Sequence, residues 1–338
     1  MPLTLIGAGA IGGTVAAYLV RGGESITLVD ADREHVRAMR ERGLTIRGFE
    51  DTFTVPVTAI TPDELPDRLS TVLLAVKAPA TESVVRSFAD RLAPDGCVVS
   101  LQNGLNELAI AKLVGERRTV GAFINFSADY LEPGLIHFAG RGAFYIGELD
   151  GVRSPRIEHL QRVLSHWGNV QITNNIWGFL WGKQAYGAML FATALTNDSM
   201  ADAINGHRRV VVALAREVVR VAQAQGIRPL GFDGFEPDVV GSGDQSAIDA
   251  SLDRLIALRR GDQKTHSGVW RDLAVRKRRT EVEPHFRPII AEAERRGIDV
   301  PLLRRMVDMI HEVEDGRRQF SPANLDELEQ AGAAAGAR

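Results

Sequence analysis

The residues best suited to chemistry stand at the start of the chain. Gly7-Ala8-Gly9-Ala10-Ile11-Gly12 is a G-x-G-x-x-G run set between a short strand-like stretch, residues 3–6, and a helical pattern over 11–21. Glycine at position 7 permits a tight turn, glycine at 9 lets the backbone approach a pyrophosphate, and glycine at 12 lets the helix pack on the strand. The phosphates, held by the turn from Gly7 through Ala8, Ala10 and Ile11 to Gly12, then lie at a helix N-terminus, where unpaired N–H groups and the dipole favour an anion. Alone, such a run is a weak signal. Here a second strand-like stretch, 25–30, ends on Asp30, 18 residues beyond Gly12, close to the expected spacing of about 20. A carboxylate there accepts hydrogen bonds from ribose hydroxyls and repels a 2′-phosphate, which favours NAD over NADP. Arg33 could still turn toward such a phosphate, Asp30 could instead cap the next helix, and a flavin shares the same fingerprint.

Two further strand ends carry polar residues. Residues 71–76 run into Lys77, and 96–101 run into Gln102-Asn103-Gly104. Ligands of doubly wound sheets bind beyond the carboxyl ends of the strands, so Lys77 could neutralise a cofactor or a substrate carboxylate. Asn103 could orient either through its amide, or be no more than the first residue of an Asn-Gly turn. Lysine is scarce: of 40 basic residues only Lys77, Lys112, Lys183, Lys264 and Lys277 are lysine, the one basic side chain of the two that can give up a proton.

The elements that must position these residues change character along the chain. Short apolar runs alternate with helical patterns over 33–42 and 82–92, the mark of parallel βαβ units. Residues 44–48 and 53–59 suggest an inserted hairpin, 119–147 strands and turns, 156–167 a helix and 170–172 a last strand. Beyond Asn174-Asn175 strand patterns vanish, and helices are expected over 177–195, 206–224, 247–258, 266–279, 283–296 and 302–316, with a loop over 226–245. The fold class expected is α/β: an N-terminal Rossmann doubly wound sheet (1–173), an all-helical C-terminal domain (174–330), and a frayed, small-residue tail (331–338).

Composition narrows the partners. With 45% hydrophobic and 25% charged residues and a net charge of −3, the chain can bury ample core and lacks the basic field that a nucleic acid or an anionic membrane requires. Arg276-Lys277-Arg278-Arg279 looks like a localisation or nucleic-acid patch but reads better as a solvated face. Cys97, the single cysteine, excludes an internal disulfide and reads as a small buried hydrophobe. The eight histidines show no metal-ligand spacing, so no metal is expected. No stretch has the roughly 18 apolar residues of a membrane span, and a reducing cytoplasm is the expected compartment.

Taken in order, the glycine run, Val76-Lys77, Gln102-Asn103-Gly104, Trp181-Gly182-Lys183 and Arg279-Thr280-Glu281 resemble the ketopantoate reductase (2-dehydropantoate 2-reductase) family over nearly the whole chain. The resemblance implies a Rossmann domain followed by a helical domain, a substrate bound between them, and reduction of a 2-oxo acid to a 2-hydroxy acid by hydride from a nicotinamide. By position, Lys183 matches the family's catalytic lysine, Glu281 its active-site glutamate, Asn103 the asparagine near nicotinamide and substrate, and Lys77 the lysine on the cofactor side. The roles are chemically sensible: an alkoxide formed by hydride addition needs a positioned acid, and a neighbouring carboxylate keeps a lysine charged.

The chain also departs from the family. Members that reduce ketopantoate carry asparagines one and two turns after the lysine; here Gly187 and Phe191 stand there. The serine of the segment before Glu281 is displaced by one residue, to Ser267 within His266-Ser267-Gly268-Val269-Trp270, and the stretch from Asp272 to Glu281 is one residue longer. A pocket bounded by Lys183, Gly187, Phe191, Ser267 and Trp270 suits a more apolar 2-oxo acid than ketopantoate. Genuine ketopantoate reduction is the alternative inside the family. A non-catalytic dinucleotide sensor is the alternative outside it, against which the joint presence of Lys183 and Glu281 argues. His266 is open between an acid–base and a structural role, and a homodimer through the apolar helix faces is a further expectation.

Overall fold

A computed structural model describes residues 2–48, 50–261 and 264–336. The chain forms two compact units that divide between Ile176 and Trp177.

The first unit runs β1 (Leu3–Ile6), α1 (Ala10–Arg21), β2 (Ile26–Val29), α2 (Arg33–Arg42), β3 (Leu44–Gly48), β4 (Thr52–Val55), β5 (Thr58–Ile60), β6 (Leu69–Leu74), α3 (Thr81–Phe88), β7 (Leu92–Ser100), α4 (Asn106–Val114), β8 (Thr119–Ile124), β9 (Ser127–Glu132), β10 (Leu135–Gly140), β11 (Phe144–Glu148), α5 (Pro155–Leu164) and β12 (Val170–Ile172). Its main sheet has the order β12-β11-β8-β7-β6-β1-β2-β5. The six strands from β5 to β8 are parallel, and β11 adds on antiparallel to β8. This is the Rossmann arrangement. Strand order reverses between β1 and β6, the switch point at which such sheets bind ligands. Central strands such as β1 are buried along their whole length, because helices or the second sheet cover both faces. One core gathers Leu5, Leu28, Met39, Phe138 and Trp167, the other Ile6, Val72, Phe88 and Ile110.

The expected hairpin exists as β3 and β4, but it does not stand alone. It joins β9 and β10 in a separate four-stranded sheet, while β5 leaves it to edge the main sheet. Helix α2 starts and ends by local chemistry: the Asp32 side chain accepts the N–H groups of Glu34 and His35, and Gly43, at φ 78°, provides the left-handed exit. Cys97 is buried as expected, and burial pushes its thiol up from the usual range.

The second unit is built of helices: α6 (Ile176–Thr193), α7 (Met200–Gly206), α8 (Arg208–Gln223), α9 (Pro237–Ser242), α10 (Gln245–Gly261), α11 (Gly268–Trp270), α12 (Val282–Arg295), α13 (Pro301–Glu314) and α14 (Ala323–Gly336). Helix α6 is buried on most of its circumference, as a helix apolar all round must be. Gly178 and Gly182 let another segment lie directly on it: the Leu230 N–H donates to the Gly178 carbonyl, and a Cβ at Gly182 would lie 2.2 Å from the Leu230 oxygen.

Four expectations need correction here. The helix expected over 206–224 is α8, begun at Arg208, but it is preceded by an unexpected helix, the Ser199-capped α7, which ends at His207 (φ −130°, ψ 44°). The loop expected over 226–245 contains α9, begun by Pro237. The helix expected over 266–279 shrinks to α11 and a π-helical turn, Arg271–Val275, closed by the Arg276 N–H on the Arg271 carbonyl. Asp272 then draws the chain out of helical course, since its carboxylate takes both Arg276 and Arg278, and Lys277 between them sits at φ 49°. The tail from 331 is not frayed as far as it is described: α14 continues to Gly336, because Leu325 and Leu328 bury fully and Arg305 and Arg318 both pair with Glu327.

Helix α13 has no capping side chain of its own. Instead Glu217 of α8, only 4% exposed, accepts the N–H groups of Leu302 and Leu303 at 3.1 and 2.8 Å. Burial pushes its carboxyl from the ordinary 4.5 up to about 7. Between those values the folded chain keeps a proton that the unfolded chain has released, so stability falls as pH rises through this window, by up to about 3 kcal/mol. Urea unfolding from pH 5 to 8 will show that decline, and Glu217→Gln will remove it; parallel pH curves for the two proteins would exclude Glu217 as its source.

Candidate active site

The carboxyl ends of the central strands are level. Ile6 lies opposite both Val29 of β2 and Leu74 of β6, and Leu74 opposite Ser100 of β7. The chain segments that follow therefore emerge side by side: Gly7 after β1, Asp30 after β2, Ala75 to Lys77 after β6, and Leu101 to Gly104 after β7.

At the glycine turn the backbones are almost in contact. Gly7 adopts φ 98°, and a Cβ there would lie 2.7 Å from the Ala75 carbon and the Val76 nitrogen. A Cβ on Gly12 would lie 2.2 Å from the Gly7 oxygen. Gly9 is different, for a Cβ there meets nothing within 4 Å. Gly9 caps α1 with no side-chain hydrogen bond, and the first turn holds no acidic residue. A partly buried backbone turn without a side-chain anion, at the start of a helix of 12 residues, fits a dinucleotide pyrophosphate.

Asp30 is partly exposed at the rim, its Oδ1 accepting the Asp32 N–H at 2.9 Å. The capping of α2 falls to Asp32, so that alternative for Asp30 is removed. The rim is acidic: Tyr130 of β9 donates to Asp32, and burial, aided by Asp32, Asp30 and Glu34, pushes its hydroxyl up to about 12. Arg33, the one candidate for a 2′-phosphate, is exposed and 3.7 Å from Asp63.

Two buried groups brace these turns: His35, which sequence reasoning missed, and Gln102, which it named at a strand end without a role. His35 receives the Gly134 N–H on Nδ1 at 2.9 Å, so its proton sits on Nε2, which donates to the Ala8 carbonyl at 2.9 Å. Nothing in its surroundings in sequence signals this. Gln102 donates to the Val76 carbonyl (2.8 Å) and to the Thr81 hydroxyl (2.7 Å); Thr81 donates to Asn106, whose amide returns to the Asn103 carbonyl at 2.7 Å. This chain of hydrogen bonds locks the segment bearing Lys77 to the segment bearing Asn103. Both of those side chains are exposed, and Gly104, at φ 103°, makes the turn that the Asn-Gly pair announced.

In the helical unit, Lys183 and Gly187 occupy a partly open stripe of α6, and a Cβ at Gly187 meets nothing within 4 Å. Glu281, partly buried, stands at the start of α12, where its carbonyl accepts the His285 N–H. Helices α6 and α12 touch beside these residues: Gln184 Oε1 lies 3.3 Å from His285 Nδ1. Gln184 and His285, neighbours of the candidate residues that sequence reasoning passed over, make this contact, and His285, four residues after Glu281, shares its helix face. Phe191 differs from expectation. It is 5% exposed, edge-on to Phe286 at 4.9 Å and beside His285 at 5.2 Å. Its ring is core, packed against α12.

Ser267 is buried and caps α11 by accepting the Trp270 N–H. Trp270 stacks on His266 at 4.1 Å and donates to Asn197 Oδ1, while His266 Nε2 donates to the Asn197 carbonyl and Nδ1 meets the Thr265 hydroxyl. Both ring nitrogens of His266 are thereby engaged in holding this corner. Among the described residues, no cluster of three or more His, Cys, Asp or Glu could hold a metal ion, and no helix is long and apolar enough to cross a membrane.

Residues 3–151 match the family Ketopantoate reductase PanE/ApbA, and residues 172–314 match Ketopantoate reductase PanE/ApbA C terminal. The 2-dehydropantoate 2-reductase of Pyrococcus horikoshii is 28% identical over 305 residues, 89% of this chain and 94% of that protein. That of Archaeoglobus fulgidus is 28% identical over 316 residues, 92% and 97% of the two chains. In fold, a D-mandelate dehydrogenase solved with NADH and anilino(oxo)acetate superposes with a TM-score of 0.80 at 21% identity, over 94% of this chain and 99% of that one. A ketopantoate reductase from Ralstonia eutropha follows with a TM-score of 0.78 at 23% identity, over the same shares. With both family regions matched across most of its length, the chain belongs to the ketopantoate reductase family of oxidoreductases.

Proposed function

We propose that the protein reduces a 2-oxo acid to its 2-hydroxy acid with NADH, and that its substrate is more apolar than ketopantoate. The observation that carries this reading is Gly187, one turn after Lys183, where open space replaces a side chain and no amide is offered to a hydroxylated substrate. The 2-dehydropantoate 2-reductases to which the chain is similar favour a second reading, 2-dehydropantoate reduction itself.

A bound nicotinamide dinucleotide supplies the hydride. The chain's own residues do the rest. The glycine turn receives the pyrophosphate, Asp30 accepts from the ribose hydroxyls, and the acidic rim disfavours a 2′-phosphate. Lys77 offers a cation and Asn103 an amide at neighbouring strand ends. As hydride reaches C2, the carbonyl oxygen gains a negative charge; the Lys183 ammonium stabilises it and passes it one proton, which completes the alcohol. Glu281 keeps that ammonium charged and oriented.

Three measurements test the assignment. Lys183→Ala will lower kcat by about 10²- to 10⁴-fold while the Kd for NADH stays within about twofold, as expected of a residue acting on the oxo acid; near-normal turnover would remove Lys183 from the reaction. Asp30→Ala will shift the kcat/KM preference toward NADPH by roughly tenfold, the size of one lost charge interaction, and an unchanged ratio would deny Asp30 the ribose. In parallel assays, 2-oxo-2-phenylacetate and 4-methyl-2-oxopentanoate will be preferred to ketopantoate; strong preference for ketopantoate would establish the second reading.

A further inference from the structure

We propose that Glu314, at the far end of α13, is a positioning residue that aims Glu281, acting through Thr280. The inference rests on the reading of Glu281 given above.

Glu281 is the junction between an irregular segment and α12, and it makes no side-chain cap for that helix. Its neighbours on both sides are joined through Thr280, which is itself fixed to one carboxylate. Glu314 Oε1 accepts the Thr280 N–H and the Thr280 hydroxyl, each at 2.7 Å. The same Thr280 oxygen accepts the Val282 N–H at 3.2 Å. Residue 280 is thus tied to α13 and residue 282 to residue 280, with Glu281 between them. The other carboxylate oxygen takes Arg279 Nη1 at 3.0 Å and His311 Nδ1 at 2.8 Å. His311 in turn reaches Glu283 with Nε2. Upstream, Asp272 grips Arg276 and Arg278. The segment from 276 to 281 is therefore anchored at each end, and the basic run that resembled a nucleic-acid patch is a set of struts.

Glu314 is an unfavourable place for a carboxylate. It ends a helix, where the dipole repels negative charge, and its side chain is only 1% exposed. Burial alone would raise its pKa, yet the Thr280 donors and His311 outweigh that and hold it below the ordinary range. A buried acid kept charged against both burial and dipole, with its strongest contacts on the residue before Glu281, fits a role in orientation. Small errors in the placement of an acid–base group cost turnover rather than cofactor binding.

The test uses the full chain and the 2-oxo acid turned over fastest in the panel above. Thr280→Val replaces the hydroxyl with a methyl group, and Glu314→Gln keeps the shape but not the charge. Each will lower kcat roughly 10- to 100-fold with KM for NADH unchanged within about twofold, and Thr280→Ser will restore kcat to within about threefold. In a Glu281→Gln background, Thr280→Val will cause no further loss, because the two act as one unit. Melting temperature is followed alongside, and Glu314→Gln carries the comparison if Thr280→Val does not fold. If Glu281→Gln abolishes turnover while folded Thr280→Val or Glu314→Gln retains full kcat, or if the losses multiply in the double variant, the inference is overturned. Full turnover by Glu281→Gln would instead remove the role given to Glu281 itself.

Discussion

The first unit depends on one close approach between two stretches of main chain. The turn at Gly7 lies against Ala75 and Val76 with no room for a single extra carbon. That contact is possible only because β1 and β6 are neighbours whose last residues are level, and only because glycine tolerates the positive φ required. From it follow the direction of α1, whose first turn has no side-chain cap, and the place where the segment carrying Lys77 begins. His35 and Gln102 then act as side-chain pins on a geometry the backbone has already set.

The helical unit meets a different requirement. Helices offer no row of level ends, so polar side chains must be aimed one at a time, and the means used is the buried or half-buried carboxylate. Glu217 closes the start of α13, Asp272 gathers two arginines, and Glu314 gathers Thr280, Arg279 and His311. An unpaired charge in such positions would be strongly destabilising, and each therefore carries its donors with it. The abundance of arginine over lysine suits this construction, since a guanidinium can bond two partners at once.

How much of this was legible beforehand depended on whether the constraint was local. The glycine turn, the strand ends at Asp30 and Lys77, and the limits of α2 followed from backbone rules that residue types express directly. Lys183 and Glu281 were legible only as members of an ordered set of motifs, because a lone helix lysine has no distinctive spacing. Phe191 shows where spacing misleads. Eight residues at about 100° each leave it about 80° round the helix from Lys183, enough to turn its ring into the packing against Phe286. The roles of His35 and Gln102 were hidden because their partners are distant in the chain. Helix α14 was hidden because alanine and glycine say little until neighbouring helices, here α13 and α8, are there to pack against it and bury Leu325 and Leu328.

The π-helical turn at Arg271–Val275 has a consequence for how this chain tolerates change in length. Such a turn is the ordinary backbone trace of one added residue within a helix. Here the turn carries Asp272 itself, which ties the residues that follow back to it through Arg276 and Arg278. The segment thus has a built-in slack coil. A change of a single residue can be absorbed there by winding or unwinding one loop of backbone, while Thr280 keeps its hold on Glu314.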